Sequence, residues 1–374
     1  MALAGYALSP LPQPAPVPVP SSGSPVSPAS RPADLVASEL RRAGRFDEAI
    51  RLLRAEYART REPHLYRILL GLVEDTGDAR ALVEEARAML GDWPGDQTAR
   101  WMLARGLLFA AATFPEDPSV PAWIREASQL AEGLEKAGFQ DPFSPGATVI
   151  LRMQIAWLER RWEEADRLAV RALERGTTEG EATDLLALRL DVALRQGRLE
   201  DAERLMDRAL ARVEGWKDPS YYQLRTFREE SLIVREVYFG KPFTSRDLDQ
   251  LGDLHRQLRS RGLVDPTLPG DDEVKASHQA LRTWIALGEQ GDLQGRLALV
   301  EESLARPPLK KPRCFYSEAV MSPLRPVYLH LMAGRLCREL GRPEEARQHF
   351  QQALELHPDD RLLLQELKGL GPVG

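Results

Sequence analysis

The side chains of this chain with the means to do chemistry are six histidines, at positions 64, 255, 278, 330, 349 and 357, two cysteines, Cys314 and Cys337, and the paired carboxylates Glu163-Glu164 and Glu344-Glu345. Paired carboxylates can divide acid and base roles, and histidines near acids can hold a metal ion or relay a proton. The spacing supports neither use. The histidines are scattered rather than set at ligand intervals, and no phosphate-cradling glycine loop or nucleophile elbow is present. Each carboxylate pair falls in the first turn of an expected helix, where negative charge complements the positive end of the helix dipole. Two isolated cysteines are too few for a disulfide framework. A single bridge between them stays open, although Cys337 falls where a small buried apolar side chain is expected. No enzyme activity, cofactor or metal is expected from these residues.

The carboxylate pairs belong to a phrase that recurs four times: Gly44-Arg45-Phe46-Asp47-Glu48-Ala49, Arg160-Arg161-Trp162-Glu163-Glu164-Ala165, Gly197-Arg198-Leu199-Glu200-Asp201-Ala202 and Gly341-Arg342-Pro343-Glu344-Glu345-Ala346. Each copy opens an amphipathic helix. The last continues through Phe350, Ala353 and Leu354. The four closing alanines lie 116, 37 and 144 residues apart. With a unit of about 34–39 residues these intervals are three, one and four units, so roughly eight units fill the chain. A period of that size predicts a stack of helical hairpins, each unit packing on its neighbours.

From Val327 to Asp360 the residues His330, Ala333, Gly334, Cys337, Gly341, Ala346, Phe350, Ala353 and Pro358 fall on the signature positions of a helical repeat, and on these the chain resembles the tetratricopeptide-repeat family. His330 stands where that family has a leading tryptophan, and Cys337 where it has a first-helix tyrosine. The small residues Gly334, Ala346 and Ala353 allow close helix approach, Phe350 fills the gap between hairpins, and Pro358 stops the second helix. The unit from Gly197 to Ala209 matches nearly as well. Weaker copies run through Tyr66, Leu69, Gly77, Leu82 and Pro94, and through Trp284, Gly291 and Leu299. The resemblance implies an all-α fold, a right-handed α-α superhelix of about eight hairpins covering residues 34–374, with irregular units near 98–140 and 220–263.

Residues 1–33 read differently. Proline at nearly every second position from Pro10 to Pro20, followed by Ser-Gly-Ser-Pro, predicts an extended, mobile tether. The opening Met1–Leu8 lacks a basic flank, so the chain as written reads as cytoplasmic. A start further upstream would make it the end of a signal sequence and the protein exported, an envelope-associated assembly factor. The longest internal break, Arg306–Pro323, places Lys310-Lys311 beside Phe315-Tyr316 and reads as a solvated excursion. A net charge of −6 argues against a nucleic-acid binder, and no apolar run reaches the roughly 18 residues of a membrane span. Arginines outnumber lysines 43 to 7, and there is no asparagine. The asparagine amides with which many tetratricopeptide proteins hold a peptide backbone or carboxylate are therefore missing.

The resemblance implies that the first helix of each hairpin lines a concave groove. On it the residues pointing away from the packing positions are Met102, Phe109, Ile150 and Trp157 in the middle, Asp191 and Arg195 in the Thr183 unit, and Tyr328, Arg335 and Arg338 in the last unit. In that register Arg105 and Arg152 fall into buried positions. The groove so drawn is apolar with an arginine pair at one end. It suits an amphipathic helix or extended peptide with an acidic flank, and the chain is expected to be a non-catalytic scaffold for a protein or peptide partner. Two further readings are a peptide-sensing regulator and a helical ribonuclease. Arg325…His330 and Arg342…His349 resemble the arginine–spacer–histidine pattern of one ribonuclease family, but Pro326 and Pro343 stand where that family has a polar residue.

Overall fold

A computed structural model describes residues 32–42, 45–141, 144–214, 231–260, 271–305 and 322–371. Among the described residues there is no strand. The helices are α1 (Ala33–Arg42), α2 (Phe46–Thr60), α3 (Pro63–Thr76), α4 (Ala79–Asp92), α5 (Gln97–Thr113), α6 (Val120–Lys136), α7 (Ala147–Leu158), α8 (Trp162–Arg175), α9 (Glu179–Arg195), α10 (Leu199–Glu214), α11 (231–239), α12 (Ser245–Ser260), α13 (Asp271–Glu289), α14 (Leu293–Ala305), α15 (Ser322–Glu339), α16 (Pro343–Leu356) and α17 (Arg361–Gly369). Among the described residues successive helices pack on one another as an all-α superhelix of stacked hairpins. Most of the Pro/Ser-rich segment, both margins of the unit expected at 220–263, and the break carrying Lys310, Lys311, Cys314, Phe315 and Tyr316 lie outside the described residues. The unit expected to be irregular at 98–140 is a full hairpin of two 17-residue helices, α5 and α6, whose length stretches the spacing.

The recurring phrase works through its turn. After α9, Gly197 N–H donates to Leu194 O (3.0 Å) and Arg198 N–H to Ala193 O (2.9 Å). After α15, Gly341 N–H donates to Arg338 O (3.1 Å) and Arg342 N–H to Cys337 O (2.8 Å). This pair of bonds closes a helix through one left-handed residue, and the glycines supply it with φ of 67° and 73°. The next helix then opens with its carboxylate pair in the first turn. Asp34 lies within the first turn of α1 rather than capping it.

Small residues set the helix separations. Ala346 and Ala353 are fully buried, and a Cβ added at Gly334 would overlap the ring of Phe350, itself without exposure. Cys337 is a buried free thiol whose pKa burial pushes upward, as expected of an apolar packing residue. Helix α17 returns to pack on α9, and Asp360, its N-cap, accepts from Leu362 N–H (2.8 Å) and Leu363 N–H (3.2 Å). Helix α17 is thereby fastened to α9.

Candidate functional site: the groove of the first helices

The first helices of four successive hairpins line an open concavity. Glu74 enters from α3; Trp101, Arg105 and Phe109 from α5; Ala147, Ile150, Leu151, Met153 and Gln154 from α7; Glu181, Asp184, Leu185 and Leu188 from α9. The spacing explains the shared face. Residues 101, 105 and 109 are single turns apart, and 181, 184, 185 and 188 trace one stripe. Most of the lining is apolar. The polar groups are three carboxylates, one guanidinium and one amide.

The guanidinium is already occupied. Arg105 forms an ion pair with Glu74 across α3 and α5 and lies over the Trp101 ring, 4.8 Å from its centre. Glu181 is the return half of a capping box: its backbone N–H donates to Thr178 Oγ1 (3.2 Å), and its carboxylate accepts from Thr178 N–H (3.0 Å). Asp184 sits one turn further along the same stripe. Burial raises its pKa to about 6; nearby positive charge, Arg105 the least of it, opposes the rise, and the Glu181 charge adds to it. The Gln154 side-chain oxygen is buried with no hydrogen-bond partner.

Of the residues expected in the groove, Phe109 and Ile150 line it. The others lie elsewhere, and the register explains the first of them. Helix α5 turns Trp101, Arg105 and Phe109 toward the groove, which puts Met102 in the core with 1% exposure. Arg152 on α7 is exposed and pairs with Glu135 of α6 at 2.6 Å, so neither arginine that fitted awkwardly is buried in the core. Trp157 is buried edge-to-face against Trp162, with ring centres 5.5 Å apart.

Asp191 and Arg195 belong to a buried clamp. Arg195 donates to Asp191 at 2.8 Å and to Pro358 O at 3.1 Å, and its guanidinium lies 4.6 Å from the Trp162 ring centre. His357 faces Asp191 Oδ1 through Nε2 (2.6 Å) and Asp360 Oδ2 through Nδ1 (2.8 Å). Ionised carboxylates only accept, so both ring nitrogens donate and His357 is an imidazolium. Burial alone would lower its pKa, but the Asp191 and Asp360 carboxylates raise it. Asp191 is held at about 2: burial works against the charge, and Arg195 and His357 outweigh it. Tyr238 of α11 completes the cluster, donating to Asp360 Oδ2 at 3.0 Å.

The last unit's candidates are also structural. Tyr328 is buried against Tyr238, with ring centres 5.8 Å apart. Arg335 donates to Glu366 at 2.7 Å and also reaches Val237 O, while Arg338 bonds the other Glu366 oxygen. The expected arginine pair therefore fastens α17 and is not held open for a ligand. His330 and His349, the histidines of the two ribonuclease-like strings, face each other with Nδ1 atoms 3.1 Å apart. Burial lowers both pKa values, His330 to about 4. They are a neutral packing pair between α15 and α16, and Arg342 is turned to Glu345. No group of three or more histidine, cysteine or acidic side chains fit to hold a metal ion occurs among the described residues, and no described helix is long and apolar enough to cross a membrane.

The sequence matches a tetratricopeptide-repeat family profile at residues 327–360 and a second one at residues 154–219. Comparison with curated proteins found no significant match. Among solved structures, the APC/C hetero-tetramer Cut9-Hcn1 is similar over 92% of this chain and 56% of that one, at 11% identity and a TM-score of 0.45. A tetratricopeptide repeat protein from Parabacteroides merdae is similar over 91% of this chain and 98% of its own, at 10% identity and a TM-score of 0.35. Naa15/Naa10 bound to HypK-THB is similar over 90% of this chain and 55% of that one, at 16% identity and a TM-score of 0.28. The chain therefore carries tetratricopeptide repeats at these two stretches, within an all-α series of helical hairpins. Such an array is a protein-interaction scaffold.

Proposed function

We propose that this protein is a non-catalytic scaffold that receives a segment of a partner protein in the groove formed by α3, α5, α7 and α9. The observation that carries this reading is the cavity: four successive first helices turn a mainly apolar surface toward one open space. An apolar concave surface with a few polar groups suits a peptide or a short helix, because side chains of the guest bury area while its backbone keeps solvent or polar partners. Several side chains with chemical reactivity are engaged in packing among the described residues. Histidines 330, 349 and 357 and Cys337 all serve the fold.

Site-specific photocrosslinking in the source cells tests the proposal. A benzophenone side chain at Ile150, in the groove, is expected to yield a discrete adduct with another protein, and the same group at Arg171, on the exposed side of α8, is expected to yield none. Adducts from position 171 with none from position 150 would place the partner on the opposite face and sink the groove assignment. Met102 and Trp157 are unsuitable probes, since a charge at either buried position would unfold its hairpin.

A further inference from the structure

The same chain holds a guest suited to the groove, and its part in regulating that site rests on the scaffold reading above. Residues 1–30, outside the described residues, carry no charged side chain, and from Pro10 to Pro20 proline alternates with Leu11, Gln13, Ala15, Val17 and Val19. Such a run favours the extended polyproline conformation before it binds anything. It therefore loses little entropy on docking, and it suits a groove with aromatic walls. Trp101 and Phe109 supply those walls from α5, with Ile150 and Leu151 on α7. The walls are deep, Trp101 and Phe109 being 4% and 2% exposed, and an extended chain asks for less width than a helix about 10 Å across. An uncharged guest also leaves the Arg105–Glu74 pair undisturbed. The buried Gln154 oxygen, which has no hydrogen-bond partner, can accept from one of the backbone N–H groups that the residues between the prolines retain.

The start of the array lies on the right side and within range. Each hairpin reverses the chain, so the first helices run the same way, and α1 packs beside α3 in their layer. The chain enters α1 at Ala33, at the same end of the layer at which Ala147 opens α7 and Glu181 lies in the first turn of α9. First helices spaced about 8–10 Å put α7 about 24–30 Å from α1, within the reach of about 34 Å that residues 21–31 have when extended. A guest tethered this way meets the groove at an effective concentration in the millimolar range, so weak contacts suffice to hold it. We infer that residues 10–20 occupy the groove of α3, α5, α7 and α9 when no partner is bound, and that a partner segment enters by displacing them. The segment is then an internal competitor that sets the affinity a partner must exceed.

Photocrosslinking within the purified full chain tests this. A benzophenone side chain at Ile150 should join position 150 to the segment 10–20 in a product of monomer size. Its yield should not change on about tenfold dilution, since a tethered contact does not depend on protein concentration. The same group at the exposed Arg171 should not capture that segment. The Pro12→Gly/Pro14→Gly/Pro16→Gly/Pro18→Gly variant loses the preformed conformation and leaves the repeats untouched. It should cut the internal adduct about fivefold or more, and raise adducts with other proteins from position 150 in the source cells about twofold or more. An internal adduct unchanged by the glycines, or capture only between copies with a yield that falls on dilution, would overturn the inference. No adduct with residues 10–20, beside partner adducts from position 150 in cells, would overturn it and leave the groove reading standing. Neither kind of adduct would overturn both.

Discussion

Asp184 and Asp191 stand seven residues apart on α9, close to one side of the helix, and burial bears on both. Asp184 opens onto the groove beside another carboxylate and its pKa rises to about 6; Asp191 is gripped by Arg195 and His357 and falls to about 2. The same residue type on the same helix thus meets opposite fates. The difference lies in the partners rather than in burial. In the clamp, two carboxylates face a guanidinium and an imidazolium, with Tyr238 filling a remaining acceptor site. In the groove, Arg105 pairs with Glu74, and Asp184 has the Glu181 carboxylate as a neighbour on its own helix. The clamp satisfies its charges internally and joins distant hairpins, whereas the groove is open to solvent.

Breaking the clamp should have the largest effect. His357→Leu keeps much of the side-chain volume but leaves Asp191 and Asp360 buried with one fewer cation, and we expect a loss of about 3–5 kcal/mol in urea unfolding. A loss below about 1 kcal/mol would mean that water enters the cluster and that α17 is not fastened there. The clamp also has a pH window. Asp191, with its depressed pKa, contributes above about pH 4 and is lost as pH falls through about 2. His357, with its raised pKa, contributes fully below about pH 6.5 and is lost as pH rises through its folded value. Stability from the clamp should therefore be greatest between about pH 4 and 6.5.

The groove should respond with the opposite sign. A carboxyl whose folded pKa is raised favours the fold while protonated, so Asp184 costs little below about pH 4 and its full penalty above about pH 6. Asp184→Asn removes the charge while keeping the shape. Discounting for partial exposure, it should stabilise the protein by about 1–2 kcal/mol at pH 8 and by almost nothing at pH 4. Unfolding measured at both values distinguishes this from a general gain: equal stabilisation at the two would show that Asp184 is not the titrating group.

The His330–His349 pair gives a third contrast, with His357. Its rings are held neutral, so their contribution is present above about pH 6.5 and lost as pH falls through about 4 for His330. His330→Leu should flatten that loss by about 1 kcal/mol between pH 6.5 and 4.5 while leaving the alkaline side unchanged. A change confined to the alkaline side would indicate that the titrating histidine is His357 instead.

Legibility along the chain follows the range of the interactions involved. The hairpins could be read from sequence because their determinants are local: a turn glycine, an acidic first turn, small residues at fixed steps, and a phenylalanine such as Phe350 between helices. The groove's existence followed from that fold, but its register did not. Helices α5 and α7 pack on neighbours from several directions and are apolar nearly all round. In α5 the residues from Trp101 to Leu103, all buried, offer no polar stripe to mark the open side. Choosing Met102 rather than Trp101 shifted every assignment by one position. Arg105 held the missing signal, since an arginine that fits no core position belongs on the groove. The clamp could not have been read at all. Asp191 and His357 lie 166 residues apart, and each alone looks like an ordinary surface residue of a helix or a helix end.

The smallest expected effect concerns the one copy of the recurring phrase in which arginine replaces the turn glycine. Arg160 nonetheless adopts the left-handed conformation, with φ of 58°, and closes the turn with the same two bonds, Arg160 N–H to Trp157 O (3.0 Å) and Arg161 N–H to Ala156 O (2.8 Å). The turn is therefore imposed by the packing of α7 on α8 and not by the residue in it, and the Cβ of Arg160 is carried at a steric cost of about 1 kcal/mol. Its side chain is exposed. Arg160→Gly should raise stability by about that amount, reduced by the greater freedom glycine gives the unfolded chain. Gly197→Ala supplies the reverse case: its backbone has the same hand, and the added Cβ would meet Arg361 Cβ at an ordinary 3.5 Å, so strain and not collision should dominate its loss. Opposite shifts of similar size in thermal unfolding would show that the phrase needs its glycine only for conformational ease. A loss of stability in Arg160→Gly would instead mean that the arginine side chain holds the turn.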